Sequence, residues 1–285
     1  MERLVVSRGG ECQIRLIAGK EDASRPVLVL GRSNRSFRSI QIDRLNAQLR
    51  DWGLAIWRLE PRPTPPTQNA TEPAHSSAAK SRRGGLRAMT RAMSSALPKV
   101  FGGYPGWTDY FSPSFAQAAD RRDEVRSMLD QFPVSARFLL LGHSMGARVG
   151  TYLDRHARVS GHIAFGYPFQ NPEEGPALSR VHHLRKLKVP TLIIQGRSDA
   201  YGGEEVATKY RFSPSISFLF VEDDHSYNSA CQTLTRHITS RVRAFILETQ
   251  DGLPSALMAG RESSQSDQLD GKAGKLKSSR TLTLS

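Results

Sequence analysis

The sequence predicts an α/β fold in which a mostly parallel central sheet carries helices on both faces. Apolar runs that have the character of buried strands alternate with helical patterns from about residue 12 to residue 248. Several of these runs are apolar along their whole length, which is typical of parallel strands that are buried on both faces. With 285 residues, the chain is long enough for one such domain with a sizeable core.

The first elements form a βαβ unit. Residues 11–18 alternate partly between apolar and polar side chains and predict an edge strand. Residues 27–31 predict a buried strand, residues 39–51 a helix, and residues 54–59 the next strand, with Gly53 marking the end of the helix. A unit of this kind predicts a parallel strand pair with a right-handed crossover.

The remaining elements continue the alternation. Helices are expected near residues 114–130, 147–153, 204–210 and 228–248, and strands near residues 138–141, 159–167, 189–196 and 216–221.

The pattern divides the chain into four regions. They are the first part of the domain (1–60), a basic, proline- and serine-rich insertion with an aromatic loop (61–113), the second part of the domain (114–249) and a polar tail (250–285). Most of the insertion and the tail offer too little apolar surface to offset the entropy of ordering, so we expect both to be disordered. Residues 86–97 could form a docking helix. The aromatic stretch at 101–111 could be a lid or could anchor the loop on the body.

The net charge of +13 would attract nucleic acid or anionic surfaces non-specifically. Much of the excess lies in residues 62–99, and no RNA-binding, zinc-finger or helix-turn-helix signature accompanies it. We therefore expect a solvated basic insertion that could dock a protein partner, and no specific nucleic-acid binding.

The chain has neither a secretory h-region at its start nor an apolar run long enough to span a membrane, which favours a cytoplasmic protein. Cys12 and Cys231 fit no metal spacing and are expected to be free, buried thiols in a reducing compartment.

The most specific motif is the pentapeptide G-H-S-M-G at residues 142–146, directly after the apolar run at 138–141. A G-x-S-x-G sequence between a strand and a helix is typical of a nucleophile elbow, which exposes the Ser144 hydroxyl at the top of a sheet. The turn is sharp, so a side chain at Gly142 or Gly146 would collide with the neighbouring strand or helix. A plain structural turn is the alternative interpretation.

Two residues later in the chain could act together with Ser144. Asp199 follows the predicted strand at 189–196, and His225 follows the one at 216–221. The carboxyl ends of parallel strands meet at one edge of a sheet, where ligands bind. A serine needs an imidazole to accept its proton and a carboxylate to orient that imidazole. The order Ser, Asp, His therefore predicts a catalytic triad.

Other interpretations of these residues remain open. Asp199 could cap the short helix that follows it, and His225 could be a surface histidine in an acidic loop. Asp223 or Asp224 could orient the histidine, although a residue so near in sequence rarely reaches the far ring nitrogen. We expect His143 to pack beside the nucleophile and not to act as the base.

The chain resembles the α/β-hydrolases related to dienelactone hydrolase, over residues 25–60 and 114–248. Within them it is most similar to the group of testis-expressed protein 30 and the third subunit of the non-specific lethal complex. The resemblance is carried by residues 142–148, by 166–168 with 187–192, and by 195–199 with 224–226. It implies an α/β-hydrolase fold and a serine-hydrolase triad at Ser144, Asp199 and His225.

One segment departs from the pattern of that group. The strand at 27–30 usually leads into a His-Gly-x-Gly loop that supplies one oxyanion-hole N–H, whereas residues 30–34 here are Leu-Gly-Arg-Ser-Asn. Backbone donors do not depend on side-chain identity, so the amides of Met145 and Arg32 are the expected oxyanion donors. Losing one donor would cost about 10²–10³-fold in turnover.

The sequence thus predicts a serine hydrolase that acts on an ester, thioester or related acyl bond of a small molecule and needs no metal or organic cofactor. A catalytically degenerate scaffold that docks a partner through the basic insertion is the alternative. Non-specific nucleic-acid binding is a third possibility.

Overall fold

A computed structural model describes residues 2–7, 10–20, 25–31, 39–60, 110, 112–173 and 175–250. One sheet contains β1 (Glu2–Ser7), β2 (Gly10–Ala18), β3 (Val27–Leu30), β4 (Ile56–Leu59), β5 (Phe138–His143), β6 (Val159–Phe165), β9 (Thr191–Gly196) and β10 (Ile216–Val221). A small hairpin pairs β7 (Gln170–Asn171) with β8 (Gly175–Pro176). The helices are α1 (Ile40–Asp51), α2 (Pro113–Leu129), α3 (Met145–Thr151), α4 (Leu178–Val181), a 3₁₀ helix (His182–Lys186), α5 (Val206–Lys209) and α6 (Gln232–Thr249).

The sheet is mostly parallel, in the order β1-β2-β4-β3-β5-β6-β9-β10. The six strands from β4 to β10 run parallel, and β1 and β2 are antiparallel to their neighbours. The pairing of β3 with β4 across α1 is the expected βαβ unit. The predicted fold class is therefore confirmed.

Helices cover both faces of the sheet because side chains alternate along each strand. Val27 and Val29 of β3 point to the face that is packed by α1 and α6. Leu28 and Leu30 point to the opposite face and pack against α2 and α3. This two-sided burial is the physical reason why β3 is apolar at every position.

The expectation that residues 11–18 form an edge strand is wrong. Residues 2–7 form β1, which pairs antiparallel with β2 from Glu2 opposite Arg15 to Ser7 opposite Gly10, so β1 is the outer strand. The apolar run Leu4–Val6 followed by two glycines is a hairpin signal that the sequence interpretation missed.

Helix α2 begins where the insertion was expected to end. The Ser112 hydroxyl accepts a hydrogen bond from the Phe115 N–H at 3.1 Å, and Pro113 occupies the first helical position. Tyr110, the residue of the aromatic stretch that the structure describes, packs edge-on against Phe115 with ring centroids 5.2 Å apart. The expectations for residues 61–109 and for the tail beyond residue 250 lie outside the described residues.

Helix α6 begins at Gln232 and not at residue 228. The amide of Gln41 in α1 donates to the carbonyl of Ser229 at 2.6 Å, which holds the segment before α6 in a non-helical path. Cys231 is a free thiol at the start of α6, but it is exposed and not buried as expected.

None of the helices among the described residues is long and apolar enough to cross a membrane. Within the same part of the chain, no group of three or more His, Cys, Asp or Glu side chains could hold a metal ion.

Candidate active site

Ser144 lies on the turn between β5 and α3. Its φ of 53° and ψ of −112° fall in a backbone region that residues with side chains rarely adopt. The Ser144 N–H donates to the Phe165 carbonyl of β6 at 3.0 Å, which ties the turn to the neighbouring strand. Such strain costs about 1–3 kcal/mol and persists only where surrounding contacts fix the backbone.

The two glycines that flank this serine have no room for a side chain. A Cβ at Gly142 would lie 2.5 Å from the backbone of Gly146. A Cβ at Gly146 would lie 2.3 Å from the Leu30 carbonyl oxygen of β3. The turn therefore packs directly against the backbones of β3 and α3.

Ser144, His225 and Asp199 form a continuous chain of contacts above the sheet. His225 Nε2 lies 2.9 Å from Ser144 Oγ, and His225 Nδ1 lies 2.8 Å from Asp199 Oδ2. An ionised carboxylate can only accept, so Nδ1 carries the proton and Nε2 is left to accept from the serine hydroxyl. This is the arrangement that lets an imidazole remove the proton of a serine.

The carboxylate of Asp199 is completely enclosed. Its Oδ1 accepts from the Tyr201 N–H at 2.8 Å. Helix α5 begins only at Val206 and has no side-chain cap, so Asp199 does not cap it. His225 is also buried, so it is not a surface histidine.

The neighbouring acids direct their carboxylates elsewhere. Asp224 Oδ1 accepts from the N–H of Ser226 at 2.7 Å and from its hydroxyl, and these bonds lower the pKa of Asp224. Asp223 Oδ1 accepts from the Asp224 N–H at 2.9 Å, and burial raises its pKa. Asp199 is therefore the carboxylate that bonds to the ring of His225.

Several aromatic groups hold the imidazole in place. The ring of Tyr201 lies 4.3 Å from that of His225, centroid to centroid, at an angle of 32°. His143 Nε2 donates to the His225 carbonyl at 2.8 Å, and the two rings lie 5.3 Å apart. His143 thus packs beside the nucleophile and fixes the backbone of the neighbouring histidine.

Two buried polar residues under the site were missed at the sequence level. The Tyr227 hydroxyl donates to the Ile194 carbonyl at 2.7 Å and accepts from the N–H groups of Gly166 and Gly196, both at 3.0 Å. Burial, followed by the charge of Asp199, raises the pKa of Tyr227 well above its ordinary value.

Gln195 is the second missed residue, and its side chain reaches Asp199 itself. Its position in the otherwise apolar strand β9 was an available signal, since a buried amide requires partners.

Ser144 is largely buried, with 8% of its surface exposed. A small cleft of about 80 Å³ adjoins the turn on the side of β3. Its apolar part is lined by Leu30, Gly31, Leu59, Met145, Gly146 and Val149, and its polar part by Gln117, Asp120, Arg121 and Glu124 of α2. Arg121 and Glu124 form a largely buried ion pair at 2.7 Å.

Met145 is the first residue of α3, so its N–H has no acceptor within the helix and belongs to the positive end of the helix dipole. This position suits a developing negative charge next to Ser144. The other expected donor, Arg32, lies outside the described residues.

Comparisons with known proteins bear on the same part of the chain. A family model described as an alpha/beta hydrolase domain matches residues 116–246, which contain Ser144, Asp199 and His225. No curated protein matches the chain significantly in sequence.

Solved structures of low sequence identity share the fold. A serine hydrolase without a lid from Xanthomonas campestris is 11% identical, with a TM-score of 0.52 over 89% of this chain and 96% of that chain. A serine hydrolase homologue from Coxiella burnetii is 13% identical, with a TM-score of 0.54 over 85% and 97%. An esterase from Pyrococcus furiosus is 14% identical, with a TM-score of 0.56 over 87% and 92%.

Sheet order, strand direction and these neighbours agree with one another. The chain therefore has the α/β-hydrolase fold, and its residues 116–246 match an α/β-hydrolase domain.

Proposed function

We propose that the chain is a serine hydrolase that cleaves an ester, thioester or related acyl bond. The observation that carries the proposal is the unbroken line of contacts from Ser144 Oγ to His225 Nε2 at 2.9 Å and from His225 Nδ1 to Asp199 Oδ2 at 2.8 Å. The first distance lies within the range in which a base can take a proton from a nucleophile, and the second is that of a hydrogen bond which orients the base.

In the proposed first half-reaction, Ser144 Oγ forms a bond to the acyl carbon while its proton passes to His225 Nε2. The carbonyl π electrons move onto the oxygen, which becomes the oxyanion. When they return, the bond to the leaving group breaks, and that group takes the proton from Nε2. Asp199 stays ionised and stabilises the imidazolium through Nδ1–H.

In the second half-reaction, a water molecule repeats these steps on the acyl-enzyme. Nε2 takes a proton from the water as its oxygen attacks the acyl carbon, and then returns a proton to Ser144 Oγ as the acid leaves. The mechanism uses no metal or organic cofactor.

The Met145 N–H is the first proposed oxyanion donor, and the Arg32 N–H is the second. The N–H of Ser144 donates to the Phe165 carbonyl, so it is not available as an oxyanion donor. A backbone donor that is fixed by a helix, as the Met145 N–H is, needs little reorganisation when charge develops, which is the basis of its contribution to rate.

The cleft beside Met145 is the proposed substrate site. The chain runs from β3 to β4 on one side and then to β5 on the other side of β3, so the strand order reverses at this point. Open α/β sheets bind ligands at such switch points, outside the carboxyl ends of the strands. A small acyl compound is the proposed substrate, with its apolar part toward Leu59 and Val149.

The esterase from Pyrococcus furiosus and the two serine hydrolases support this class of reaction by analogy of fold. The finer kinship with dienelactone hydrolase and with the testis-expressed protein 30 group remains a proposal from the sequence. So does the docking of a protein partner through the insertion.

The alternative of a degenerate scaffold depends on the altered loop at residues 30–34, the basic stretch at 62–99 and the tail beyond residue 250. Of these residues the structure describes only Leu30 and Gly31. We favour the hydrolase because the three reactive side chains lie in contact.

A fluorophosphonate probe, which reacts with activated serines, tests the proposal. We expect the purified protein to be labelled and the variant Ser144→Ala to lose all labelling. Ser215→Ala removes a serine that lies before β10, at the opposite end of the strand from the site, and should be labelled like the wild type. A wild-type protein that resists the probe would contradict the proposed function.

A further inference from the structure

Gln195 is a buried amide near the carboxyl end of β9. It lies one residue before the end of β9 and is 0% exposed. A primary amide that is removed from water costs free energy unless its donors and acceptor are all bonded. The partners of Gln195 therefore indicate what it holds in place.

These partners belong to two separate segments, the one after β6 and the loop after β9. Gln195 Oε1 accepts from the Tyr167 N–H at 2.9 Å, just after β6. Nε2 donates to the Gly202 carbonyl at 2.6 Å and to Asp199 Oδ2 at 2.9 Å. Both N–H groups and the oxygen of the amide are thus engaged.

The contact with Asp199 falls on the oxygen that also bonds to His225. Oδ2 lies 2.9 Å from Gln195 Nε2 and 2.8 Å from His225 Nδ1, while Oδ1 is held by the Tyr201 N–H at 2.8 Å. We propose that Gln195 is a positioning residue, which fixes Asp199 Oδ2 in the direction of His225 and sets how much of its negative charge the imidazole experiences. The inference rests on the proposed triad.

The electrostatic consequence has a definite sign. The N–H of Gln195 places a partial positive charge beside Oδ2, which opposes the positive charge that His225 gains when it takes a proton. Removing this donor leaves more negative charge for the imidazolium and also frees the carboxylate to rotate. The first effect makes the base easier to protonate, and the second slows the chemical step without weakening substrate binding.

Gln195→Met keeps the length of the side chain and removes its hydrogen bonds. With p-nitrophenyl acetate as substrate, we expect kcat to fall about 10–100-fold while KM changes less than about 2-fold. The acid limb of the kcat/KM profile should move up by about 0.5–1 pH unit.

Gln41 offers a matched control. It is also a buried amide, whose Nε2 donates to Ser229 and whose Oε1 accepts from Thr235, but it lies between α1 and α6. Gln41→Met should lower Tm about as much as Gln195→Met and leave kcat and the acid limb at their wild-type values. If the two variants differ from the wild type only in Tm, Gln195 is merely structural and the inference is overturned.

A second readout separates this inference from the proposed function. The proton between His225 Nδ1 and Asp199 Oδ2 should give a low-field NMR signal in the wild type. That signal should shift or broaden in Gln195→Met and stay unchanged in Gln41→Met, whether or not the protein turns over an ester. An unchanged signal in Gln195→Met would overturn the positioning role, whereas absent turnover and absent probe labelling of the wild type would overturn the hydrolase.

Discussion

His162 makes the stability of the fold dependent on pH. It lies on β6 between Leu140 of β5 and Thr191 of β9, and it is 2% exposed. Neither ring nitrogen has a hydrogen-bond partner in the part of the chain that the structure describes. The ring lies against α3 so closely that a Cβ at Gly150 would be 2.3 Å from Nε2.

Burial lowers the pKa of His162 from 6.5 to about 3. In the unfolded chain His162 therefore binds a proton below pH 6.5, whereas in the folded chain it binds one only below about pH 3. The stability of the fold does not depend on His162 above this pH range, and it falls as the pH decreases from 6.5 to about 3. Each unit costs about 1.4 kcal/mol, so this one residue should remove about 2.5 kcal/mol between about pH 7 and pH 4.5.

Replacing His162 with leucine removes the titrating group and keeps the position apolar. Urea unfolding at about pH 7 and pH 4.5 gives the loss of unfolding free energy for each protein. We expect the loss in His162→Leu to be smaller than in the wild type by about 2.5 kcal/mol. Burial also lowers the pKa of His183 to about 3, so some pH dependence should persist in the variant.

Thr191→Val is the matched control, because Thr191 is a buried neighbour of His162 that cannot titrate in this range. It should change stability by the same amount at both pH values. A His162→Leu variant that loses as much stability on acidification as the wild type would refute the assignment of the pH dependence to this histidine.

Two further predictions concern the site. Asp199→Asn should lower kcat about 10⁴-fold in ester hydrolysis, because an amide has no charge and only one acceptor oxygen where the carboxylate uses two. The exposed Asp224→Asn should stay within a few-fold, and comparable losses in both would contradict the triad. Gln117→Trp, on the exposed wall of the cleft, should reduce kcat/KM for long-chain esters more than for acetate. Ala116→Trp, on the same helix but outside the cleft lining, should not, and equal effects would argue against substrate binding there.

Much of the fold could be predicted from the sequence because strong local signals agreed with one another. Continuous apolar strands are required where helices cover both faces, and the helical patterns between them separate parallel strands. The prediction of one site from Ser144, Asp199 and His225 followed from the topology of a parallel sheet. Each of them comes within a few residues of the carboxyl end of one of these strands.

The errors arose where tertiary contacts override local patterns. The start of α6 depends on Gln41, which is distant in sequence and bonds to Ser229. The inner position of β2 is decided by the pairing of β1, a short strand whose signal is weak in isolation. The roles of Gln195 and Tyr227 depend on which backbone groups come within 3 Å of their polar atoms, and that distance is a property of the assembled sheet.

The buried polar groups beneath the site explain how residues on separate loops hold such close distances. The Tyr227 hydroxyl bonds to Gly166 after β6 and to Gly196 at the end of β9, so it fixes the spacing of two adjacent strand ends. Gln195 then joins the segment after β6 to the loop that carries Asp199. Tyr227 itself is held at a φ of 53°, an unfavourable backbone conformation for tyrosine. Tyr227 lies two residues after His225 in the chain. The hydrogen bonds of its hydroxyl therefore fix both the spacing of the two strand ends and the position of the loop that carries His225.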